Sequence, residues 1–220
     1  MSQFDPTFDA LPTTIAIFPL PGVLLLPRGM LPLNIFEPRY LNMIQDALAG
    51  NRMIAMVQPC AKGDDGCQPK VYPLACAGRI TAFEETDDGR FLISLKGVCR
   101  LRIAEEISST RGYRVVRADW DDFREDLSPP DGKKIDRKAL FGGLKPYFAS
   151  QGIEASWQAL CDTPDERLIN SLSMICPFSG PEKQALLEAP DLAERAKVLT
   201  ALMEMAVLDT DGDGGEKTRQ

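Results

Sequence analysis

The side chains that could do chemistry are few, and their spacing does not favour catalysis. The sequence contains no histidine, which excludes histidine-based triads, HExxH zinc sites and a histidine general base. Adjacent carboxylates occur at Glu84-Glu85 and Glu105-Glu106, but neighbours on a strand point to opposite faces and do not form an acid–base pair. Residues 215–218 (GEKT) lack the Gly-Lys pair of a phosphate-binding loop. We therefore predict a protein without enzymatic activity and without a cofactor.

The cysteines do not indicate a metal site either. None of the six stands in CxxC spacing, which a zinc knuckle or a redox pair requires. Residues 1–11 lack the basic and apolar regions of a secretory signal, so we expect reduced cysteines and a cytoplasmic protein. The longest apolar stretch is broken by prolines and glycines, and this excludes a membrane span. The cysteines are Cys60, Cys67, Cys76, Cys99, Cys161 and Cys176.

Two features could bind a partner, and the first is an apolar loop. Residues 19–29 connect two predicted strands, yet they contain Leu24, Leu25 and Leu26 in succession. Such a patch, exposed, would form a docking surface for apolar segments of other chains. Alternatively, the loop folds back and plugs an open end of the β domain. Both interpretations remain open from the sequence alone.

The second feature is a set of arginines in the predicted strands. They form a candidate basic face for nucleic acid or an acidic partner, or else an ordinary solvated strand face. The formal net charge of −7 makes nucleic acid the weaker candidate. The arginines are Arg100, Arg102, Arg114 and Arg117.

The elements that must position these residues fall into a β half and a helical half. Apolar runs and period-two alternation predict the strands, and a helix follows Pro38 and stops at Gly50. The predicted strands cover residues 13–18, 30–36, 52–58, 79–86, 91–95, 100–103 and 113–120. We predict a flexible N-terminus at 1–12, a β domain at 13–121, a linker at 122–134, a helical bundle at 135–208 and a disordered tail at 209–220.

Two capping boxes mark helix starts in the second half. Residues 163–166 (TPDE) and 179–182 (SGPE) each place a hydroxyl at the cap and a carboxylate three residues later. These boxes predict helices over residues 164–175 and 181–188. A longer helix should follow Pro190.

Several motifs resemble the N-terminal, substrate-binding domain of Lon proteases. They are residues 18–23 (FPLPGV), 31–40 (LPLNIFEPRY), 97–103 (GVCRLRI) and 182–188 (EKQALLE). The resemblance implies an α+β fold: a PUA-like six-stranded β pseudo-barrel with one inserted helix, followed by a C-terminal helical bundle. With 220 residues, we expect a stand-alone domain protein without the family's ATPase and Ser-Lys protease domains.

The resemblance also implies a function, which is recognition of apolar polypeptide segments in protein quality control. Phe36, Arg39 and Tyr40 then join the three leucines as candidate polypeptide-binding residues. The alternative is an RNA-binding PUA-like module that uses the Arg100 and Arg102 strand face. The identity of the polypeptide and the oligomeric state are not indicated by the sequence.

Overall fold

A closed β-barrel organises the first part of the chain in the computed structural model, which describes residues 6–60, 69–128 and 135–213, without the side chains of 210–213. Its strands and the one helix inserted among them follow the predicted order. They are β1 (Thr14–Pro19), β2 (Met30–Ile35), α1 (Pro38–Ala49), β3 (Met53–Val57), β4 (Leu74–Glu85), β5 (Phe91–Ile107) and β6 (Arg114–Asp119).

Strand pairing closes the sheet into a ring. β5 pairs with β4, β4 with β3, β3 with β1, β1 with β6, and β6 again with β5. β2 lies outside this ring and pairs with the first part of β5. All pairs are antiparallel except β1 with β3. The predicted six-stranded pseudo-barrel with one inserted helix is thereby confirmed.

The helix α1 begins and ends where the sequence predicts. Pro38 occupies its first turn, where the missing N–H has no helical partner, and Gly50 forms the C-cap. Its apolar face buries Tyr40, Met43 and Ile44. The helix therefore covers part of the barrel and positions the motif at its N-terminus.

The third motif, residues 97–103, lies within one long strand, where two short strands were predicted. Residues 91–95 and 100–103 both belong to β5, which has 17 residues. Gly97 interrupts the apolar pattern because the backbone of the 19–29 loop passes against it: a Cβ there would lie 1.9 Å from the Leu26 carbonyl oxygen. The glycine thus marks a close backbone approach within a continuous strand.

The fourth motif, residues 182–188, lies in the helix α5 (Gly180–Glu188). Glu182 accepts hydrogen bonds from the backbone N–H and the hydroxyl of Ser179, at 2.6 and 2.7 Å. Lys183 Nζ donates to the Gly22 carbonyl at 2.7 Å. Met1–Asp131 and Pro177–Leu187 form one compact unit, so most of α5 belongs to the barrel unit although the predicted boundary placed it in the bundle.

The predicted linker also starts with ordered structure. Residues Asp121–Leu127 form a 3-10 helix that packs on β5 and buries Phe123 and Asp126. A charged sequence is ordered here because Asp126 is the partner of Arg100, as described below. Residues 129–134 of that segment lie outside the described residues.

The second unit, Gly132–Cys176 with Glu188–Gln220, is helical. Its helices are α2 (Arg137–Gln151), α3 (Trp157–Asp162), α4 (Asp165–Ile175) and α6 (Leu192–Asp213). α6 packs against α2 and α4, which agrees with the predicted helical C-terminal region.

Two local expectations for this unit differ from the structure. The Thr163 hydroxyl donates to the Ala159 carbonyl at 2.7 Å and so closes α3, while Pro164 occupies the cap position of α4. α6 continues to Asp213, past the predicted limit at residue 208, because extending a formed helix gains a hydrogen bond with each residue. Residues 214–220 of the predicted tail lie outside the described residues.

Candidate functional site

A cavity of about 320 Å³ opens on the barrel unit beside the second motif. The ends of β1 and β2, the start of α1 and the start of β6 surround it, and its accessible lining is mostly apolar. Phe36, Arg39 and Tyr40 line this cavity. The structure thus brings together three of the six residues predicted to bind polypeptide.

Tyr40 forms a buried wall of the cavity. Its side chain is 7% exposed, and its ring lies 4.2 Å from that of Phe18, centroid to centroid. Burial raises the pKa of Tyr40 above its usual value. Among the described residues its hydroxyl has no hydrogen-bond partner. The Tyr40 hydroxyl is therefore available to a ligand that enters this largely apolar cavity.

Phe36 supplies the apolar rim. It follows the last residue of β2 and is 62% exposed, which is unusual for a large aromatic side chain. The neighbouring Glu37 and Arg39 form an ion pair at 2.8 Å, and the Arg39 guanidinium lies 4.6 Å from the centre of the Tyr40 ring. The rim therefore offers one aromatic surface beside charges that neutralise each other.

The other cation of the cavity is also neutralised. Arg114 pairs with Glu106 and donates to the Pro69 carbonyl at 2.8 Å. With Arg39 paired to Glu37 as well, the described walls present no uncompensated cation to a phosphate. The cavity consequently suits an uncharged, apolar ligand with a hydrogen-bonding group.

Leu24, Leu25 and Leu26 are not exposed, and their predicted role as a docking surface requires correction. Their exposed fractions are 2%, 1% and 0%. Gln58 fixes the loop, because its amide oxygen accepts from the Gly22 N–H at 3.0 Å and its amide nitrogen donates to the Val23 carbonyl. The burial fits the alternative in which the loop packs onto the β domain.

The predicted basic face is not a free cationic surface. Arg102 pairs with Asp122 at 2.8 Å and Arg117 with Glu105 at 2.7 Å. Arg100 is 5% exposed and lies in a buried pair with Asp126. Arg114 faces Glu106, as described above. The sequence concealed this neutralisation because each arginine and its partner lie apart along the chain.

The sequence analysis did not select most of the other residues that line the cavity, among them Phe18 and Leu33. Both line it, although the apolar pattern identified them only as strand residues. The available signal was their position inside the first two motifs, at residues 18–23 and 31–40. Residues of both motifs line the cavity.

The described residues contain neither a metal-binding cluster nor a membrane-spanning helix. They bring together no group of three or more cysteine and carboxylate side chains that could hold a metal ion. Within the same ranges every helix is too short or too polar to cross a bilayer.

Comparison with known proteins identifies the family of the chain. A family model described as the ATP-dependent protease La (LON) substrate-binding domain matches residues 14–205. The chain therefore belongs to the family of the LON substrate-binding domain.

Relatives in sequence are Lon proteases of greater length. The Lon protease of Desulfosudis oleivorans is 26% identical over 204 residues, which cover 88% of this chain and 24% of the protease. That of Heliobacterium modesticaldum is 26% identical over 208 residues, covering 90% of this chain and 25% of the protease. The chain thus spans about a quarter of the length of these relatives.

Solved structures show the same fold. A Lon N-terminal domain protein from Xanthomonas campestris matches with a TM-score of 0.59 and 23% identity, over 86% of this chain and 98% of that one. The N-terminal domain of a Mycobacterium avium complex Lon protease matches with a TM-score of 0.60 and 15% identity, over 86% and 97%. The α+β fold with a six-stranded mixed sheet is shared by these domains.

Proposed function

We propose that the chain is a non-catalytic polypeptide-binding protein that holds apolar segments of other proteins in the cavity beside Phe36 and Tyr40, as part of protein quality control. One observation carries the proposal: an exposed phenylalanine and a tyrosine whose hydroxyl has no hydrogen-bond partner among the described residues line one largely apolar cavity. The family's substrate-binding role supports it.

The chemistry of the cavity fits an apolar side chain followed by peptide backbone. Removing about 100 Å² of apolar surface from water contributes about 2–3 kcal/mol. The Tyr40 hydroxyl can then donate to, or accept from, an adjacent peptide group. A single side chain gives only weak affinity, which suits a protein that samples many unfolded segments.

The test is binding of a fluorescently labelled, reduced and carboxymethylated model protein, measured by anisotropy. Phe36→Ala removes the rim and should weaken binding about fivefold or more. Phe83→Ala is the matched control, because Phe83 is also exposed, at 43%, but does not line the cavity. Tyr40→Phe removes only the hydroxyl and should weaken binding by a smaller factor. Equal binding by the Phe36 and Phe83 variants would contradict the proposal.

The RNA alternative is examined with the same proteins. All four arginines of the predicted basic face are ion-paired, so a labelled single-stranded RNA should show no binding at moderate salt. Binding that falls steeply with salt and is lost in Arg102→Ala would favour RNA instead.

A further inference from the structure

The strand beside the cavity is an edge strand. β2 pairs with β5 along one side, with Leu31, Leu33 and Ile35 opposite Leu95, Ile93 and Phe91. No strand within the described residues pairs with its other side. Met30, Pro32 and Asn34 are exposed. The outer side of β2 is therefore unpaired within the described residues, and three of its six residues are exposed.

The alternation of hydrogen-bonded pairs between β2 and β5 shows which backbone groups of β2 point away from β5. Gly97 exchanges hydrogen bonds with residues 28 and 29, at 2.8 Å each. Antiparallel partners alternate between hydrogen-bonded and non-hydrogen-bonded pairs, so Leu31, Leu33 and Ile35 bond to β5. The Thr86 N–H donates to the Arg90 carbonyl at 2.9 Å. Residues 90, 92 and 94 therefore bond toward β4, which leaves residues 91, 93 and 95 of β5 to bond to β2. The backbone groups of Met30, Pro32 and Asn34 consequently point outward.

Pro32 supports this assignment. Proline has no N–H, and in a sheet it is tolerated where that group would face solvent. Its presence also interrupts the outer row of donors and so prevents a long, regular strand from adding there. What remains is a short edge with N–H donors at Met30 and Asn34 and carbonyl acceptors at all three residues.

We infer that an extended segment of a bound polypeptide adds to the free edge of β2 as a short additional strand. This inference rests on the proposed function and specifies how the ligand is held. The unpaired donors and acceptors of the edge match those of an extended chain of any sequence. Backbone pairing of this kind supplies affinity without selecting residue types.

The cavity adds the selectivity that the edge lacks. Leu33, Asn34, Ile35 and Phe36 line it, so a strand lying along β2 passes its opening. Side chains alternate between the two faces of a strand, so at most every second side chain can turn toward the cavity. The site should therefore hold extended segments with an apolar residue at the position that meets Phe36.

Asn34→Pro tests the edge directly. It removes the outward N–H of Asn34 while leaving the ladder bonds of Leu33 and Ile35, and Asn34→Ala is the matched control that keeps this N–H. The probe is a soluble peptide with alternating valine and threonine around one phenylalanine and a lysine at each end. Asn34→Ala removes the same side chain from the cavity lining, so it is the reference, and we expect Asn34→Pro to bind the peptide about tenfold more weakly than Asn34→Ala.

Hydrogen exchange on the unaltered protein gives an independent test, which still decides if Asn34→Pro does not fold. The peptide should slow exchange of the Met30 and Asn34 amides, whereas Leu33 and Ile35 are protected already by β5. The same peptide with N-methylated amides should protect neither, because it cannot pair along the edge.

The outcomes separate this inference from the proposed function. If the peptide binds and Phe36→Ala weakens it, but Met30 and Asn34 exchange unchanged, edge addition is wrong and the cavity function stands. If the unaltered protein binds neither the peptide nor the unfolded protein, both fail. If sedimentation shows a dimer that Asn34→Pro abolishes, the edge belongs to a second copy and the inference is overturned.

Discussion

Asp126→Asn should destabilise the barrel unit more than any surface substitution. The Asp126 carboxylate accepts from Nε and Nη2 of Arg100 at 2.8 Å each, and from the Arg100 backbone N–H at 2.9 Å. The two side chains are 7% and 9% exposed. Removing one partner of such a buried pair leaves the other charge uncompensated, which costs about 3–5 kcal/mol. We expect a fall of roughly 10 °C in the melting temperature.

The assay must report on the barrel unit alone. Trp120 is 8% exposed and donates from its indole N–H to the Pro12 carbonyl at 3.0 Å, so its fluorescence follows unfolding of this unit. Trp157→Phe removes the other tryptophan, and this background is used for every variant. Arg102→Ala, which breaks an exposed pair with Asp122, is the control and should change stability by less than about 1 kcal/mol.

A double substitution tests the physical reason. Arg100→Met with Asp126→Leu removes both charges, so the unpaired charge disappears, while the backbone N–H of Arg100 loses its acceptor and the Leu187 carbonyl loses the Arg100 guanidinium as a donor. The double variant should be more stable than Asp126→Asn, with a remaining loss of about 1–3 kcal/mol. If Asp126→Asn and Arg102→Ala were equally mild, the buried pair would not hold β5 to the 3-10 helix, and the reasoning would be refuted.

Two further predictions concern the barrel unit. Gly97→Ala places a Cβ 1.9 Å from the Leu26 carbonyl oxygen, whereas Gly78→Ala meets the flexible Cδ2 of Leu25 at 2.6 Å. Urea unfolding should show that the first variant loses about 3 kcal/mol or more of unfolding free energy and that the second loses less. Equal losses would contradict the close approach. Burial and a 2.6 Å hydrogen bond to Asp46 raise the pKa of Tyr113 to about 12. Because this exceeds the unfolded value near 10, the resulting stability is present below about pH 10 and is lost as the pH rises through about 12. Tyr113→Phe should abolish that part of the alkaline loss and remove one late-ionising tyrosine from an ultraviolet titration; an unchanged titration would refute the assignment.

The sequence predicted the barrel better than it predicted the binding site. Alternation of apolar residues and the Pro38 and Gly50 signals placed the strands and α1, because these patterns act over a few residues. The same patterns could not reveal that Leu24–Leu26 are buried, since burial of a loop depends on a distant groove lined by Gly78 and Gly97. Nor could they pair Arg100 with Asp126, which lie on separate elements. Phe36 and Tyr40 were found through their motif, and their shared cavity emerges only from the fold.

The hydrogen bond between Lys183 and Gly22 has a consequence for synthesis of the chain. Its partners are separated by 161 residues, and ribosomes add roughly 5–20 residues per second. The loop that carries Leu24–Leu26 is therefore complete roughly 10–30 s before its last partner is made. During that interval the Gly22 carbonyl lacks its Lys183 donor, so the loop that carries the three leucines is held only by bonds whose partners are made earlier, such as those of Gln58.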